Sequence, residues 1–274
     1  MRASTAIMKD AIEATRAKQV TPLVVDVGAN HGLYALYAAA LGATVIAVEP
    51  QASLCEVIRL AASLNGEEVA SRITLYNNAV LEKAEMVSMS KSEVEEGAVA
   101  HVDRSAAAAG GVQALPIATL APASLGRISF LKIDVEGFEL LAIPSAYPLF
   151  AAQRVDHSLI EFGPPSRWSG AGKSEEDGLA LLSQLATKDW AFDTRLVQSY
   201  AYNDVVKAAA LSEASLGGFL EAMRTKQTRG TYLSLADPSL WPALMSGAPP
   251  STHAAHARPH RLATLRCAEH CSGC

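Results

Sequence analysis

The segment Asp26-Val27-Gly28-Ala29-Asn30-His31-Gly32 combines a carboxylate, an amide and two glycines between a predicted strand and a predicted helix. Glycine is needed where a backbone turns sharply or comes close to a ligand. A loop at the carboxyl end of the first strand is where doubly wound sheets bind their ligands. Glu49 closes the next predicted strand, where its carboxylate can accept hydrogen bonds from both hydroxyls of a ribose. These residues predict a site for a ligand that contains a nucleoside.

The glycine loop leaves two ligands of this kind open. A dinucleotide site would place glycine at positions 28, 30 and 33, whereas this chain has Asn30 and Leu33. The form Asp-x-Gly-x-Asn-x-Gly instead resembles the first motif of methyltransferases that use S-adenosylmethionine (SAM). A tight turn without a ligand is a third interpretation. We favour SAM because the loop, the helix after it and Glu49 occur together.

A second polar group lies on a predicted buried strand. Side chains alternate along a strand, so Lys132, Asp134 and Glu136 are expected to point the same way. A central parallel strand is usually apolar on both faces, and burying an unpaired charge is unfavourable. The charges are therefore expected either to form a Lys132–Asp134 ion pair that only closes the strand, or to do chemistry. We favour chemistry because this strand is expected beside the first strand and its loop.

Four motifs together resemble one known family. They are, in chain order, DVGANHG at 26–32, AVEP at 47–50, ITLYNNAV at 73–80 and LKIDVEGFE at 131–139. In this order they are similar to the FkbM family of SAM-dependent methyltransferases, over roughly residues 21–165. The resemblance implies an α/β fold of the class I methyltransferase type, with a Rossmann-like, seven-stranded, mostly parallel sheet and helices on both faces. It also implies transfer of the SAM methyl group to a hydroxyl oxygen.

The resemblance further implies a role for each motif residue. The residues expected at the methionine end of SAM are Asp26, Gly28, Asn30 and Gly32. Glu49 is expected to hold the ribose, and the adenine is expected to border Asn78 and Ala79. The residues expected near the transferred methyl group are Asp134 and Glu136.

A hydroxyl acceptor is a weak nucleophile at neutral pH and benefits from a general base. We expect Asp134 or Glu136 to be this base, with Lys132 positioning it or stabilising the nascent oxyanion. Asp134 and Glu161 could hold Mg²⁺, but the spacing does not demand it, and no metal is predicted. The acceptor is expected to be a small-molecule or glycan-like hydroxyl compound. Two other functions stay open: a nicotinamide-dependent oxidoreductase on a similar sheet, and a non-catalytic SAM-fold binding module.

The elements that must position these residues follow from hydrophobic patterning. Strands are predicted at 23–27, 44–48, 73–76, 130–135, 158–162, 190–197 and 231–235, and helices at 4–17, 33–40, 54–61, 175–187 and 204–224. Pro144 and Pro148 should break the helix after Phe138, and residues 91–118 are expected to form a surface loop. The predicted organisation is a leading helix at 1–20, a methyltransferase domain at 21–246 and an unpacked tail at 247–274.

Composition limits the function classes further. The formal net charge of −5 lacks the excess of positive charge expected of a nucleic-acid binder. Lys9, Asp10 and Glu13 interrupt any apolar core of a secretory signal, and no membrane span is predicted. Cys55 is the single cysteine before the tail, so no disulfide framework is expected and a cytoplasmic location is predicted.

The tail contains Cys267-x-x-x-Cys271-x-x-Cys274, which matches the spacing of the radical-SAM iron–sulfur signature. We disfavour that interpretation because the cysteines follow the last predicted strand. Zinc binding with His260 or His270 is disfavoured as well, since no folded frame is predicted around them.

Overall fold

The computed structural model describes residues 2–91, 100–103, 111–163, 165–187, 193–198, 207–210 and 231–236. The strands in these segments are β1 Leu23–Val27, β2 Thr44–Val48, β3 Ile73–Tyr76, β4 Ala79–Val80, β5 Glu85–Lys91, β6 Ala100–Asp103, β7 Val112–Leu115, β8 Phe130–Ile133, β9 His157–Glu161, β10 Asp193–Gln198, β11 Lys207–Ala210 and β12 Thr231–Ala236. They form one sheet of eight strands and one of four.

Five parallel strands form one part of the larger sheet, whose order is β11-β10-β12-β9-β8-β1-β2-β3. β1 pairs in parallel with β2 on one side and with β8 on the other. All of its residues are buried, which explains its nearly continuous apolar sequence LVVDV. The chain runs outward from β1 to β3 and then returns to β8 on the other side of β1. Ligands of doubly wound sheets bind at the carboxyl ends of the strands at such a reversal.

Within the described segments the larger sheet has eight strands, whereas the sequence predicted seven. The additional strand is β11, which pairs antiparallel with β10 at the edge of the sheet. It lies within 204–224, so the helix predicted there is wrong for residues 207–210. Three of these four residues are alanine, a strong helix former, and pairing with β10 overrides that local preference. Residues 204–206 and 211–224 lie outside the described residues.

The smaller sheet occupies part of the segment predicted to be a loop. Its order is β4-β7-β5-β6, and β5 pairs antiparallel with both β6 and β7. The prediction of a loop over 91–118 is therefore wrong for Lys91, for 100–103 and 112–115, and for 117–118 at the start of the helix Ile117–Leu120. Residues 92–99 and 104–110 lie outside the described residues. The strands β6 and β7 have four residues each, and neither contains the continuous apolar run that marks β1 and β2 in the sequence.

The α-helices in the described segments are α1 Arg2–Ala17, α2 Leu33–Ala40, α3 Ala52–Leu64, α4 Glu67–Ser71, α5 Ile117–Leu120, α6 Glu139–Ala142, α7 Tyr147–Ala151 and α8 Glu175–Thr187. Short 3-10 helices occur at Ala123–Leu125, Ile143–Ala146 and Pro165–Ala171. The interruption between α6 and α7 contains Pro144, as the sequence predicted, whereas Pro148 lies in the first turn of α7, where proline is tolerated. None of the helices in the described part of the chain has the length and apolar character needed to cross a membrane.

Helices cover both faces of the larger sheet. Because side chains alternate along β1, Val24 joins a core with α1 and α2, whereas Val25 joins a second core with α7 and α8. The apolar side of α1 enters the first core through Ile7, Met8 and Ile12, each at most 1% exposed. By the same alternation, Asp26 is on the α1–α2 side of the sheet.

Candidate active site

A cleft of about 630 Å³ lies at the carboxyl ends of β1, β2 and β8. The predicted site residues that line it are Gly28, Asn30, Glu49, Asn78, Ala79, Asp134 and Glu136. The remaining predicted residues, Asp26, Gly32 and Lys132, are buried and do not belong to its lining. The sequence motifs therefore meet at one place.

The glycine loop begins where β1 ends and brings two backbone segments into contact. Gly28 has a φ of +75°, and a Cβ atom there would lie 1.7 Å from the carbonyl oxygen of Asp134. Only glycine fits this approach. The amides of Gly28 and Ala29 both donate to the carbonyl oxygen of Val48, at 2.9 and 3.0 Å. The loop is thus fixed between the end of β2 and the residue after β8.

The second half of the loop directs the chain into α2. Asn30 has a φ of +51°, a left-handed conformation that asparagine tolerates better than most residues. Gly32 has a φ of +82°, and a Cβ atom there would lie 2.9 Å from Cγ1 of Ile58 on α3. His31 is exposed, in agreement with a loop position.

Glu49 is held at the cleft by the backbone around it. Its carboxylate accepts hydrogen bonds from the amide of Asn30 at 2.8 Å and from the amide of Gln51 at 2.9 Å. Burial raises the pKa of Glu49, and these two hydrogen bonds oppose the rise. Asn77, which the motif analysis did not single out, donates through Nδ2 to the carbonyl oxygens of Glu49 and Pro50. It therefore ties the end of β3 to the turn that follows Glu49.

Lys132 is the centre of a buried charged cluster. Its Nζ lies 3.3 Å from Oδ1 of Asp26 and 3.3 Å from Oδ2 of Asp134, and it donates to the carbonyl oxygen of Gly28 at 3.1 Å. Burial opposes the charge on Lys132, but the two carboxylates outweigh it and raise its pKa. Burial likewise raises the pKa of Asp26, while the Lys132 ammonium opposes that rise. The predicted Lys132–Asp134 pair is present, and it joins the glycine loop to the residue after β8.

Glu136 does not lie on the same strand as Lys132, although the sequence predicted that the two side chains point the same way. β8 ends at Ile133, and Glu136 has a φ of +50° in the turn beyond it, so strand alternation does not apply there. Its carboxylate accepts a hydrogen bond from Arg167 of the 3-10 helix Pro165–Ala171. Gly137 packs closely on that helix, since a Cβ atom there would lie 2.9 Å from the Arg167 carbonyl oxygen.

A buried carboxylate supports the same turn from behind. Glu139 is 1% exposed and accepts hydrogen bonds from the amide of Gly137 at 2.8 Å and from Nε1 of Trp168 at 3.1 Å. Burial raises the pKa of Glu139 to about 7. Trp168 is fully buried and packs edge-on against Phe162. These contacts fix the 3-10 helix against the wall of the cleft.

The far side of the cleft comes from the smaller sheet. Asn78 donates through Nδ2 to the carbonyl oxygen of Gln113 on β7, and Ala79 begins β4. Met89 of β5 and Phe138 also line the cleft. The sequence analysis missed both, because the segment containing Met89 had no clear strand pattern and Phe138 resembled an ordinary core residue.

The polar groups at the cleft fit the parts of SAM. Oδ1 of Asn30 meets no well-aligned donor among the described residues, and Asn30 lines the cleft, so this acceptor suits the ammonium of a methionine end. Asp26 lies behind the lining and is already paired with Lys132. Each Glu49 oxygen accepts one backbone N–H and keeps a lone pair for a ribose hydroxyl. Val48 and Val80 add apolar lining suited to an adenine. In the described part of the chain, no three His, Cys, Asp or Glu side chains come together as a metal-binding group.

Several solved structures, among them two methyltransferases, align with this chain at low sequence identity. The bifunctional kinase-methyltransferase WbdD matches 86% of this chain at 14% identity, with a TM-score of 0.47, and this chain spans only 39% of it. Cofactor-bound Rv0187 from MTB matches 84% of this chain and 78% of its own at 14% identity, with a TM-score of 0.42. Precorrin-6y C5,15-methyltransferase from Geobacter metallireducens matches 84% of both chains at 10% identity, with a TM-score of 0.36. All three scores lie below 0.5, and neither the fold nor the family assignment depends on them.

The comparison of the sequence with protein families relates this chain to known proteins more strongly than the structural alignments do. No curated protein matches the chain significantly. The model of the methyltransferase FkbM domain, however, matches residues 26–188, which is more than half of the chain. This range begins at Asp26 of the glycine loop and contains every residue predicted for the site. The chain belongs to the FkbM methyltransferase family.

Proposed function

We propose that the chain is a SAM-dependent methyltransferase that methylates a hydroxyl oxygen of a small-molecule or glycan-like acceptor. One observation carries the proposal: the glycine loop, Glu49 and Asp134 follow three neighbouring strands and line one cleft. The shape of the loop and its polar groups support SAM rather than a dinucleotide, since Asn30 stands where a dinucleotide site needs glycine.

In this proposal the two ends of SAM are held by different elements. Asn30 binds the methionine end at the cleft, and Asp26 supports this end from behind by holding Lys132. Gly28 and Gly32 give the loop its shape. Glu49 accepts the ribose hydroxyls, because its carboxylate is oriented by two backbone amides before any ligand binds. Asn78 and Ala79 border the adenine from the side of the smaller sheet.

Bound SAM supplies an electrophilic methyl group, so the protein mainly has to align the acceptor oxygen with it. We assign the general base to Asp134, which lines the cleft and whose backbone carbonyl contacts the glycine loop. Lys132 fixes Asp134 and also carries positive charge next to the site. Glu136 lies farther along the turn and holds Arg167, so we assign it to the acceptor side of the cleft rather than to proton transfer.

Ligand binding tests the first half of the proposal. Thermal unfolding and calorimetry are measured with SAM, S-adenosylhomocysteine (SAH) and NADH. A ligand at one hundred times its Kd stabilises the native state by about 2.7 kcal/mol, so SAM and SAH should raise the melting temperature and NADH should not. Stabilisation by NADH alone would overturn the proposal in favour of an oxidoreductase.

Methyl transfer tests the second half. Isotopically labelled SAM is incubated with the protein and a metabolite extract, and the labelled product is identified by mass spectrometry. Label on a hydroxyl oxygen supports the proposal. SAM binding without transfer to any acceptor would favour a non-catalytic binding module.

A further inference from the structure

The helix α1 reaches the charged cluster at Lys132, although it lies outside the family match at 26–188. Ser4 of α1 is 4% exposed, and its Oγ lies 2.5 Å from the hydroxyl oxygen of Tyr34 on α2, where either hydroxyl can donate. The ring of Tyr34 in turn faces the ammonium of Lys132, with 4.9 Å between Nζ and the ring centroid. α1, α2 and β8 are thus connected through side chains at one lysine.

The position of the Lys132 ammonium matters because three parts of the site depend on it. It pairs with Asp26 and Asp134 and donates to the carbonyl oxygen of Gly28. A lysine ammonium is a point charge on a flexible stem of four carbons, so the side chain alone does not fix the position of the ammonium. An aromatic face beside a desolvated cation attracts it and limits where it can lie.

We propose that Ser4 and Tyr34 are positioning residues for the SAM site. The Ser4–Tyr34 hydrogen bond holds the Tyr34 ring over Lys132, and the ring holds the ammonium that connects the glycine loop to Asp134. The inference rests on the proposed function, since its readout is binding of SAH. It makes α1 part of the binding machinery as well as part of the core.

Apolar packing does not explain the buried hydrogen bond between Ser4 and Tyr34. α1 is anchored in the core by Ile7, Met8 and Ile12, and none of these needs a polar contact with α2. A phenylalanine at position 34 would fill the same space without burying a hydroxyl, and burying an unpaired hydroxyl is unfavourable. The buried Ser4–Tyr34 pair therefore defines the orientation of the ring as well as its volume.

The experiment compares SAH affinity in variants of the full chain by calorimetry, with the melting temperature measured in parallel. Tyr34→Leu removes the aromatic face and should raise the SAH Kd about tenfold, as expected for a desolvated cation–π contact. Tyr34→Phe keeps the face and loses only the hydrogen bond, so it should raise the SAH Kd about threefold, a smaller loss of affinity than in Tyr34→Leu. An unchanged Kd in Tyr34→Phe would contradict a role of the hydrogen bond. Ser4→Ala should match Tyr34→Phe, and the double variant should be no weaker than either alone, because both remove the same hydrogen bond.

The matched control is Tyr37→Leu, three residues away on the same helix. Tyr37 is half-buried and packs on the same core, so this variant should lower the melting temperature and leave the SAH Kd unchanged. If Tyr34→Leu does not fold, Tyr34→Phe and Ser4→Ala still give the comparison.

Two results would overturn the inference while the proposed function stands: wild-type affinity in Tyr34→Leu, or an equal loss in Tyr37→Leu. The same holds if Ser4→Ala and Tyr34→Phe add fully in the double variant. A wild-type protein that does not bind SAH contradicts the proposed function, and the inference with it.

Discussion

Asp134 and Glu136 stand two residues apart in one motif, but the structure gives them different partners. Asp134 pairs with buried Lys132, whereas Glu136 pairs with Arg167 from another element. Asp134→Asn should lower kcat about 10²- to 10⁴-fold, the usual contribution of a general base, and leave SAH binding nearly intact. Glu136→Gln should mainly raise the KM for the acceptor. Steady-state kinetics with the acceptor found in the labelling screen separates the two effects.

The outcome of this pair decides the assignment of the base. Near-normal turnover in Asp134→Asn with SAM still bound contradicts it. A loss of kcat in Glu136→Gln but not in Asp134→Asn would assign the general base to Glu136 instead.

The glycine at position 28 gives a second prediction at the level of single residues. Gly28→Ala places a methyl group against the Asp134 carbonyl oxygen, so either the loop or the residue after β8 must move. SAH binding should be lost, and stability should fall by several kcal/mol, since a strained φ and a steric clash act together. Gly172→Ala is the matched control: Gly172 has a φ of +66°, and a Cβ atom there would meet nothing within 4 Å. Gly172→Ala should lose only the smaller amount of stability that comes from the positive φ. An equal loss of stability in Gly28→Ala and Gly172→Ala would mean that a small shift relieves the clash with the Asp134 carbonyl oxygen.

At the level of elements, β1, β2 and β8 could be predicted because each carries a short apolar run closed by a polar motif, whereas β5 with its cleft residue Met89 was missed. The position of β8 beside β1 followed from parallel connectivity, which is why the strand that contains Lys132 was expected next to the glycine loop. The contacts of Tyr34 with Ser4 and of Glu136 with Arg167 could not be predicted. They join residues 30 and 31 positions apart and depend on how helices pack on the sheet, which no local pattern encodes.

The 3-10 helix Pro165–Ala171 provides a prediction at this scale. Its Arg167 holds Glu136 at the cleft, while Trp168 anchors it to Glu139. Arg167→Gln should therefore raise the KM for the acceptor about tenfold through misplacement of the wall, and it should leave the SAH Kd unchanged. Because the ion pair is partly exposed, stability should change by less than about 1 kcal/mol. Arg127→Gln, which breaks a more exposed pair with Asp156, is the control and should not affect the KM.

For the whole molecule, two buried groups give opposite contributions to the pH dependence of stability. Burial raises the pKa of Glu139 to about 7, and burial lowers the pKa of His157 to about 3. The native state keeps a proton on Glu139 that the unfolded chain releases, so this contribution is lost as the pH rises from about 4.5 to 7. The native state excludes a proton from His157 that the unfolded chain binds, so this contribution is lost as the pH falls from about 6.5 to 3.

Single variants should separate the two contributions. Relative to the wild type, Glu139→Gln should gain up to about 3 kcal/mol of unfolding free energy between pH 4.5 and 7, at 1.36 kcal/mol for each unit of pKa difference. His157→Gln should lose up to about 5 kcal/mol relative to the wild type between pH 3 and 6.5 by the same conversion. Urea unfolding at a series of pH values measures the difference in unfolding free energy between each single variant and the wild type. Between pH 4.5 and 6.5 the contributions of Glu139 and His157 to the slope of unfolding free energy against pH have opposite signs in the wild type. The slopes of the two single variants should therefore differ from the wild-type slope in opposite directions. The double variant should have nearly the wild-type slope. Parallel curves for all four proteins would mean that neither group changes its proton affinity on folding.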